Sequence, residues 1–288
     1  MEISIIPQAQ SDAPIPGGIS LEVALDFDDL AQLNADAKRA LEIERSVPAE
    51  ARSALGSASD ETYIAGFVQT RATNDALEIQ GIIPVAAPHV TTSGLSSGSL
   101  YTCRVHVHPR PHIGLTSLDP VDLKTSRIPK PGFSARAGQA GDQSVEYIED
   151  EKALRMAMVK RLDGELSEGA MRALEDEYLT NFERKLAEAN IDPETYRMAH
   201  SLTEEQYLLM MARNALADAH WNYALDAVFA GNGDTITDDD LLACFEKLAP
   251  GQAAELLELH ELRNDMWMYI EKVRREKALD WLLENALR

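Results

Sequence analysis

Residues 203–233 read TEEQYLLMMARNALADAHWNYALDAVFAGNG, and this stretch decides the fold class of the second half of the chain. Thr203-Glu204-Glu205-Gln206 is a capping box, in which the threonine and the glutamine three residues on satisfy each other's backbone N–H. Leu208, Met211, Ala215 and Ala219 then recur at helical spacing on one side, and Met210, Trp221, Leu225 and Val228 on another. Gly231-Asn232-Gly233 stops the helix. Working upstream, Asp192-Pro193-Glu194 places a capping carboxylate before a proline at the first helical position. Downstream, Thr237-Asp238-Asp239-Asp240 starts a further helix closed by Pro250-Gly251. A last helix is predicted to run to the C-terminus on Leu259, Leu262, Met266, Ile270, Val273 and Trp281. Long helices joined by short loops predict an extended, all-α antiparallel array over residues 146–288.

The first half reads differently. Ile19-Ser20-Leu21-Glu22-Val23-Ala24-Leu25 alternates as a half-buried strand does. Asp26 or Asp28 caps the helix after it, with Leu30, Leu33, Ala37 and Leu41 on one face. Further helices are expected from about Pro48 to Leu55 and from about Asp60 to Gln80. Extended chain is expected at Ile82-Ile83-Pro84-Val85 and over Leu100–His108. Strand, helices and strands in that order predict a small α+β domain over 1–123. Residues 124–145, poor in large apolar side chains and rich in Pro, Gly and Ala, read as a linker.

The 288 residues carry 48 Asp and Glu against 27 Lys and Arg, a formal charge of -21. Residues 146–288 alone hold 31 acidic and 16 basic side chains. A surface of that sign repels nucleic-acid phosphates and anionic lipid, which disfavours both as partners. No apolar run approaches the length of a membrane span. Met1-Glu2-Ile3-Ser4-Ile5 lacks a basic segment followed by an apolar one, so no signal peptide is read and a cytoplasmic location is expected. Cys103 and Cys244 lie far apart and read as two reduced thiols.

Candidate chemistry is sparse. His106, His108 and His112 form H-x-H-x-x-x-H, whose first two members face the same side of a strand and so admit Zn²⁺ or Ni²⁺. No carboxylate or cysteine on that face completes a site, and Pro109 and Pro111 break the strand before His112. Histidines on a solvated strand face are the competing account. Gly94-Leu95-Ser96-Ser97-Gly98 matches G-x-S-x-G, but a strand follows it where a nucleophile elbow needs a helix, and Thr91–Ser99 has the composition of a loop. Asn232, Asp234, Asp238 and Asp240 depart from the EF-hand order and read as helix capping. Glu175-Asp176-Glu177 reads as a solvated helix face. No catalytic residue, metal or cofactor is therefore assigned.

Methionine is the remaining signal. Met156, Met158, Met171, Met198, Met210, Met211, Met266 and Met268 all fall in the second half, with Trp221, Trp267 and Trp281. They fill a helical core or form an adaptable apolar surface for partners. The two-sided helix leaves room for such an exposed face.

The second half resembles the chaperone domain of bacterial trigger factor. The resemblance is carried by Ala170-Met171 through Ala189-Asn190-Ile191-Asp192-Pro193-Glu194-Thr195-Tyr196, by Leu202-Thr203-Glu204-Glu205, by Ile236-Thr237-Asp238-Asp239-Asp240, and by Val273-Arg274-Arg275-Glu276-Lys277-Ala278-Leu279-Asp280-Trp281-Leu282-Leu283. In the first half, Gly66 to Val90 and Tyr101 to Lys124 are similar to the end of that family's N-terminal domain and the strand leaving it. The order of these segments, more than any one of them, carries the likeness. It implies an ATP-independent chaperone that holds non-native polypeptides in a helical cradle, through surfaces that include Met210, Met211, Trp221, Leu225, Met266, Trp267 and Ile270. Two departures qualify it. The family's basic ribosome-docking loop is replaced by Leu41-Glu42-Ile43-Glu44-Arg45-Ser46-Val47-Pro48, where one Arg faces two Glu, so docking on ribosomal RNA loses its electrostatic basis. The linker is too short for an FKBP-type prolyl isomerase domain. A dedicated interaction protein for one folded partner is the alternative, since the acidic surface steers a basic partner towards it.

Overall fold

The computed structural model describes residues 1–7, 17–47, 58–92, 101–121 and 152–286. Four strands, β1 (Glu2–Ile6), β2 (Ile19–Leu25), β3 (His89–Thr92) and β4 (Tyr101–Val107), form an antiparallel sheet of order β1-β2-β4-β3. Alternation sorts the two faces. Leu21, Val23 and Leu25 lie opposite Val105, Cys103 and Tyr101, all six buried, while Ser20 and Glu22 share the other face with His106 and Arg104. Helices α1 (Phe27–Ser46) and α2 (Asp60–Ile79) follow from their caps. Asp26 and Asp29 each accept the other's backbone N–H at the start of α1, and Ser59 accepts from Thr62 at the start of α2. Ala72 and Ala76, with no bulk beyond Cβ, bring α2 close to the sheet, where Leu33, Val68 and Leu77 complete the core. Burial of each such large side chain stabilises the fold by about 1.5–3 kcal/mol.

Two readings of this half change. Ile82–Val85 is not a strand; Pro84 meets Pro109 in a single bridge, and neither proline has an N–H to extend a ladder. Val85 N–H donates to the His108 carbonyl and Arg110 N–H to that of Ile83, while the strand forms later, at His89–Thr92. Thr91 and Thr92 thus belong to β3 and not to a loop. The edge strand β1 is an addition. The helix expected from Pro48 to Leu55, the linker 124–145 and the Gly94–Gly98 string lie outside the described residues.

The helices of the second half are α3 (described over 152–159), α4 (Glu168–Glu188), α5 (Pro193–Ala199), α6 (Glu204–Asn232), α7 (Asp238–Leu248), α8 (Ala253–Arg263) and α9 (Met266–Ala286). The capping readings hold at Thr203/Gln206, Asp192 and Thr237/Asp240. The last helix is a pair instead of one rod. Asn264 adopts φ 52° and ψ 41°, its N–H bonds to Glu261 and that of Asp265 to His260, the Schellman arrangement that ends a helix. The freed carbonyls of α8 are taken by α2: Arg71 donates to those of Glu261 (3.1 Å) and Leu262 (2.6 Å), and Asn74 to that of Arg263 (3.0 Å). A two-stranded patch pairs β5 (Gly114–Leu115) of the first half with β6 (Leu162–Asp163), a strand within the half expected to be all helical.

Packing divides the chain into two units. The first holds Met1–Pro111, Leu166–Leu216 and Ile236–Val273; the second holds His112–Glu165, Ala217–Thr235 and Arg274–Arg288. In the first, a core separate from the sheet gathers Ala37, Ala40, Ile43, Tyr63 and Phe67 of α1 and α2 with Phe245, Leu256 and Leu259 of α7 and α8. Beside it Arg263 donates to Glu44 (2.5 Å) and to the Tyr63 hydroxyl (3.1 Å), so a buried charge pair joins α1, α2 and α8. His260 lies flat against Phe245 and is hydrogen-bonded to Asp265 (2.7 Å) and the Tyr269 hydroxyl (2.9 Å), which ties α8 to α9.

The second unit has its own core of Leu154, Met158, Trp221, Ala224, Leu225, Val228, Ala278 and Leu282. Arg275 grips Asp226 through two bonds of 3.0 and 2.9 Å, and Arg155 lies over the Trp221 ring while pairing with Asp218. A Cβ at Gly231 would lie 2.4 Å from Leu118 Cδ1, so any larger residue there obliges the Leu118 side chain to shift.

Candidate functional site

The run Leu208-Leu209-Met210-Met211 on α6 sets the geometry. Four consecutive residues sweep roughly 300° around a helix, so one buried stripe cannot take them all. The stripe that is buried runs through Tyr207, Met211 and Ala215. Leu208, expected on it, is 45% exposed, and Leu209 is 50% exposed. Tyr207 sits where the sequence reading placed Leu208, because Phe182 and Tyr196 gather around its ring at 6.3 and 6.2 Å. Phe182 and Tyr196 in turn meet edge to face at 5.2 Å, and His200 lies 4.4 Å from Tyr196.

That aromatic cluster fixes the elbow between α5 and α6. Asp192 caps α5 through the Thr195 N–H (2.9 Å) and hydroxyl (2.5 Å), contacts that hold its carboxyl below the usual carboxylate range. Ser201 takes the left-handed conformation, with φ 54°, and the Leu202 N–H bonds to the Arg197 carbonyl at 2.9 Å. The elbow opens into a groove of about 280 Å³ lined by Leu202, Gln206, Leu209, Met210, Arg213 and Asn214. Met198, at the end of α5, is 67% exposed. An adaptable, mostly apolar groove with amide and guanidinium groups at its edge suits an extended apolar segment whose backbone still needs hydrogen-bond partners.

The seven residues expected to meet a client do not converge here. Met210 lines the groove. Met211 is buried on the side of α6 away from solvent, and Trp221 and Leu225 belong to the core of the second unit, so their apolar groups are already satisfied within the chain. Met266 packs against the core around Phe245, and Trp267 and Ile270 are half-buried along α9. Leu202 and Leu209 of the groove were not expected to meet a client, and exposed Met198 stood only among the methionines of the second half. The unbroken apolar run at 208–211 was the signal that not all of them could be core.

The other motifs resolve as structure. Thr237 and Asp240 cap α7 reciprocally, and Asn232 accepts the N–H of Asp234. Asp176 is exposed, but Glu177 is half-buried and accepts the Ala87 N–H at 2.9 Å, so the acidic run is not wholly a solvated face. Cys103 and Cys244 are buried thiols, and burial pushes Cys103 up to about 11, which keeps it protonated and unreactive. His108 is buried instead of solvated; desolvation and the neighbouring His106 lower its pKa. His112 lies in the other packing unit from His106 and His108. Among the described residues no three His, Cys, Asp or Glu side chains converge as metal ligands, and no helix is long and apolar enough to cross a membrane.

Comparison with known families matches residues 139–284 to the bacterial trigger factor protein C-terminus. No curated protein matches the chain. The match covers α3 to α9, including the α5–α6 elbow and its groove, and spans half of the sequence. The chain is a member of the bacterial trigger factor C-terminus family.

Proposed function

We propose that this chain is an ATP-independent chaperone that holds non-native polypeptides against the elbow of α5 and α6. The observation that carries the reading is that exposed Leu209 and half-buried Met210 line one groove with Leu202, next to the exposed Leu208. Folded proteins rarely leave large apolar groups together in water unless a partner covers them. Family membership supports the class of partner, a polypeptide that has not finished folding. Contact is weak and distributed over several apolar side chains, and release needs no nucleotide.

The proposal includes independence from the ribosome. Of the stretch Leu41–Pro48, Leu41–Ser46 lies within α1, where Leu41, Ile43 and Glu44 are buried and the guanidinium of Arg45 pairs with Asp60; Pro48 lies outside the described residues. Arg45 is the one basic side chain among the described residues 41–47, and its pairing with Asp60 weakens any attraction to RNA phosphates.

The test is suppression of aggregation of several unrelated, chemically denatured proteins by stoichiometric amounts of the full chain. The triple substitution Leu208→Ser, Leu209→Ser, Met210→Ser is expected to abolish suppression while leaving the far-ultraviolet circular dichroism unchanged. A pull-down that returns one stoichiometric folded protein, with no suppression by the native chain, would instead support a dedicated interaction protein.

A further inference from the structure

The outer face of the sheet brings to His106 and His108 a third histidine that the sequence does not place beside them. The register of β3 against β4 sets His89 directly opposite His106, and that of β2 against β4 sets Ser20 opposite His106 on its other side. Residues so paired point to one face, with Cβ atoms about 5 Å apart. His108, two residues beyond His106, reaches the same face. The His106 and His108 rings stand 5.1 Å apart between centroids and are nearly perpendicular, at 86°. Two imidazoles that share one tetrahedral ion at metal–nitrogen distances of about 2 Å have ring centres about 5 Å apart. The observed pair already has that separation.

The supports of the pair are those of a ligand site. His108 is more than nine-tenths buried, and its Nε2 has no hydrogen-bond partner, a costly state for a buried polar atom unless something else takes the lone pair. Gly18 allows that burial: a Cβ there would lie 2.7 Å from the Val107 carbonyl oxygen and 3.1 Å from the His108 ring. The Ser20 hydroxyl is hydrogen-bonded to His106 Nδ1 at 3.0 Å and so fixes the orientation of that ring, as outer-shell groups do for metal-bound imidazoles. His89 is exposed and His106 half-buried.

We propose that His106 and His108, joined by His89 through a rotation of its exposed side chain, bind one divalent cation of the zinc class, with water completing the tetrahedron. The ion cross-links the edge strand β3 to β4. The third ligand comes from the neighbouring strand and not from His112, which the H-x-H-x-x-x-H spacing alone suggests.

The experiment is titration of the full, metal-stripped chain with Zn²⁺ by calorimetry, paired with Co²⁺ absorption in the visible, whose intensity distinguishes tetrahedral from octahedral coordination. One ion per chain with an intense Co²⁺ band is expected. His89→Ala, at an exposed position that leaves the fold intact, is expected to weaken binding about tenfold or more and to lower the Co²⁺ intensity. His106→Ala abolishes binding, and His112→Ala leaves it unchanged. Absence of saturable binding overturns the proposal, as does binding that survives His89→Ala unaltered or is lost in His112→Ala.

Discussion

Asn264 ends α8 in the left-handed conformation and donates to Asp75 (2.7 Å) and Glu78 (2.7 Å), both on α2. An alanine there meets the full Cβ penalty, about 1–2 kcal/mol, whereas glycine does not. Both substitutions lose the two side-chain bonds. Asn264→Ala is therefore expected to lower the urea midpoint more than Asn264→Gly; equal midpoints would show that strain at this position is not what the asparagine relieves. Asp192 makes a second prediction at this scale. Hydrogen bonds from Thr195 lower its pKa below the ordinary 3.8, so the cap's contribution is complete above that value and is lost as the pH falls through the lower, folded value. The Thr195 amide resonance should titrate below pH 3.8 and should cease to titrate in Asp192→Asn. At this scale the sequence was readily legible for caps, since a capping box joins residues three apart. Asn264 was not legible, because the groups that reward its conformation stand about 190 positions away.

The same distance explains which elements were misjudged. One apolar periodicity runs from Leu259 to Trp281, and it breaks at Asn264 because Arg71 and Asn74 of α2 occupy the carbonyls of the last turn of α8. Ile82–Val85 looks like a strand by composition, yet β4 takes His89–Thr92 as its partner and leaves Pro84 a single bridge. Local pattern recovered β2, β4, α1, α2, α6 and α7, whose signals lie within the element. The Glu44–Arg263 pair shows how the elements are then joined. Arg263→Met removes the guanidinium from a buried carboxylate and is expected to cost about 3–5 kcal/mol. The double substitution Glu44→Leu, Arg263→Met removes both charges and should recover most of that loss in urea unfolding. Strictly additive losses would mean that the two side chains are not energetically coupled.

Taken whole, the molecule follows packing more than sequence order. The composition divides at about residue 145, whereas the first packing unit combines the sheet and its two helices with α4, α5, the start of α6, α7 and α8. An α+β first half and a helical second half could be read from periodicity, and the order of segments pointed to the trigger factor family. The surface was harder to read. Seven apolar residues were expected to face clients; Met211, Trp221 and Leu225 are core, because the sides of a long helix are assigned by what packs against it and not by its own sequence. With a charge of -21 and Leu41–Ser46 folded into α1, the full chain is expected not to co-sediment with ribosomes at physiological salt. The most direct test of the account compares the native chain with Leu208→Ser, Leu209→Ser, Met210→Ser in suppressing the aggregation of denatured proteins. Suppression by the native chain and its loss in the folded variant are expected; equal suppression by both, or none by either, would rule out a chaperone that binds clients through this stretch.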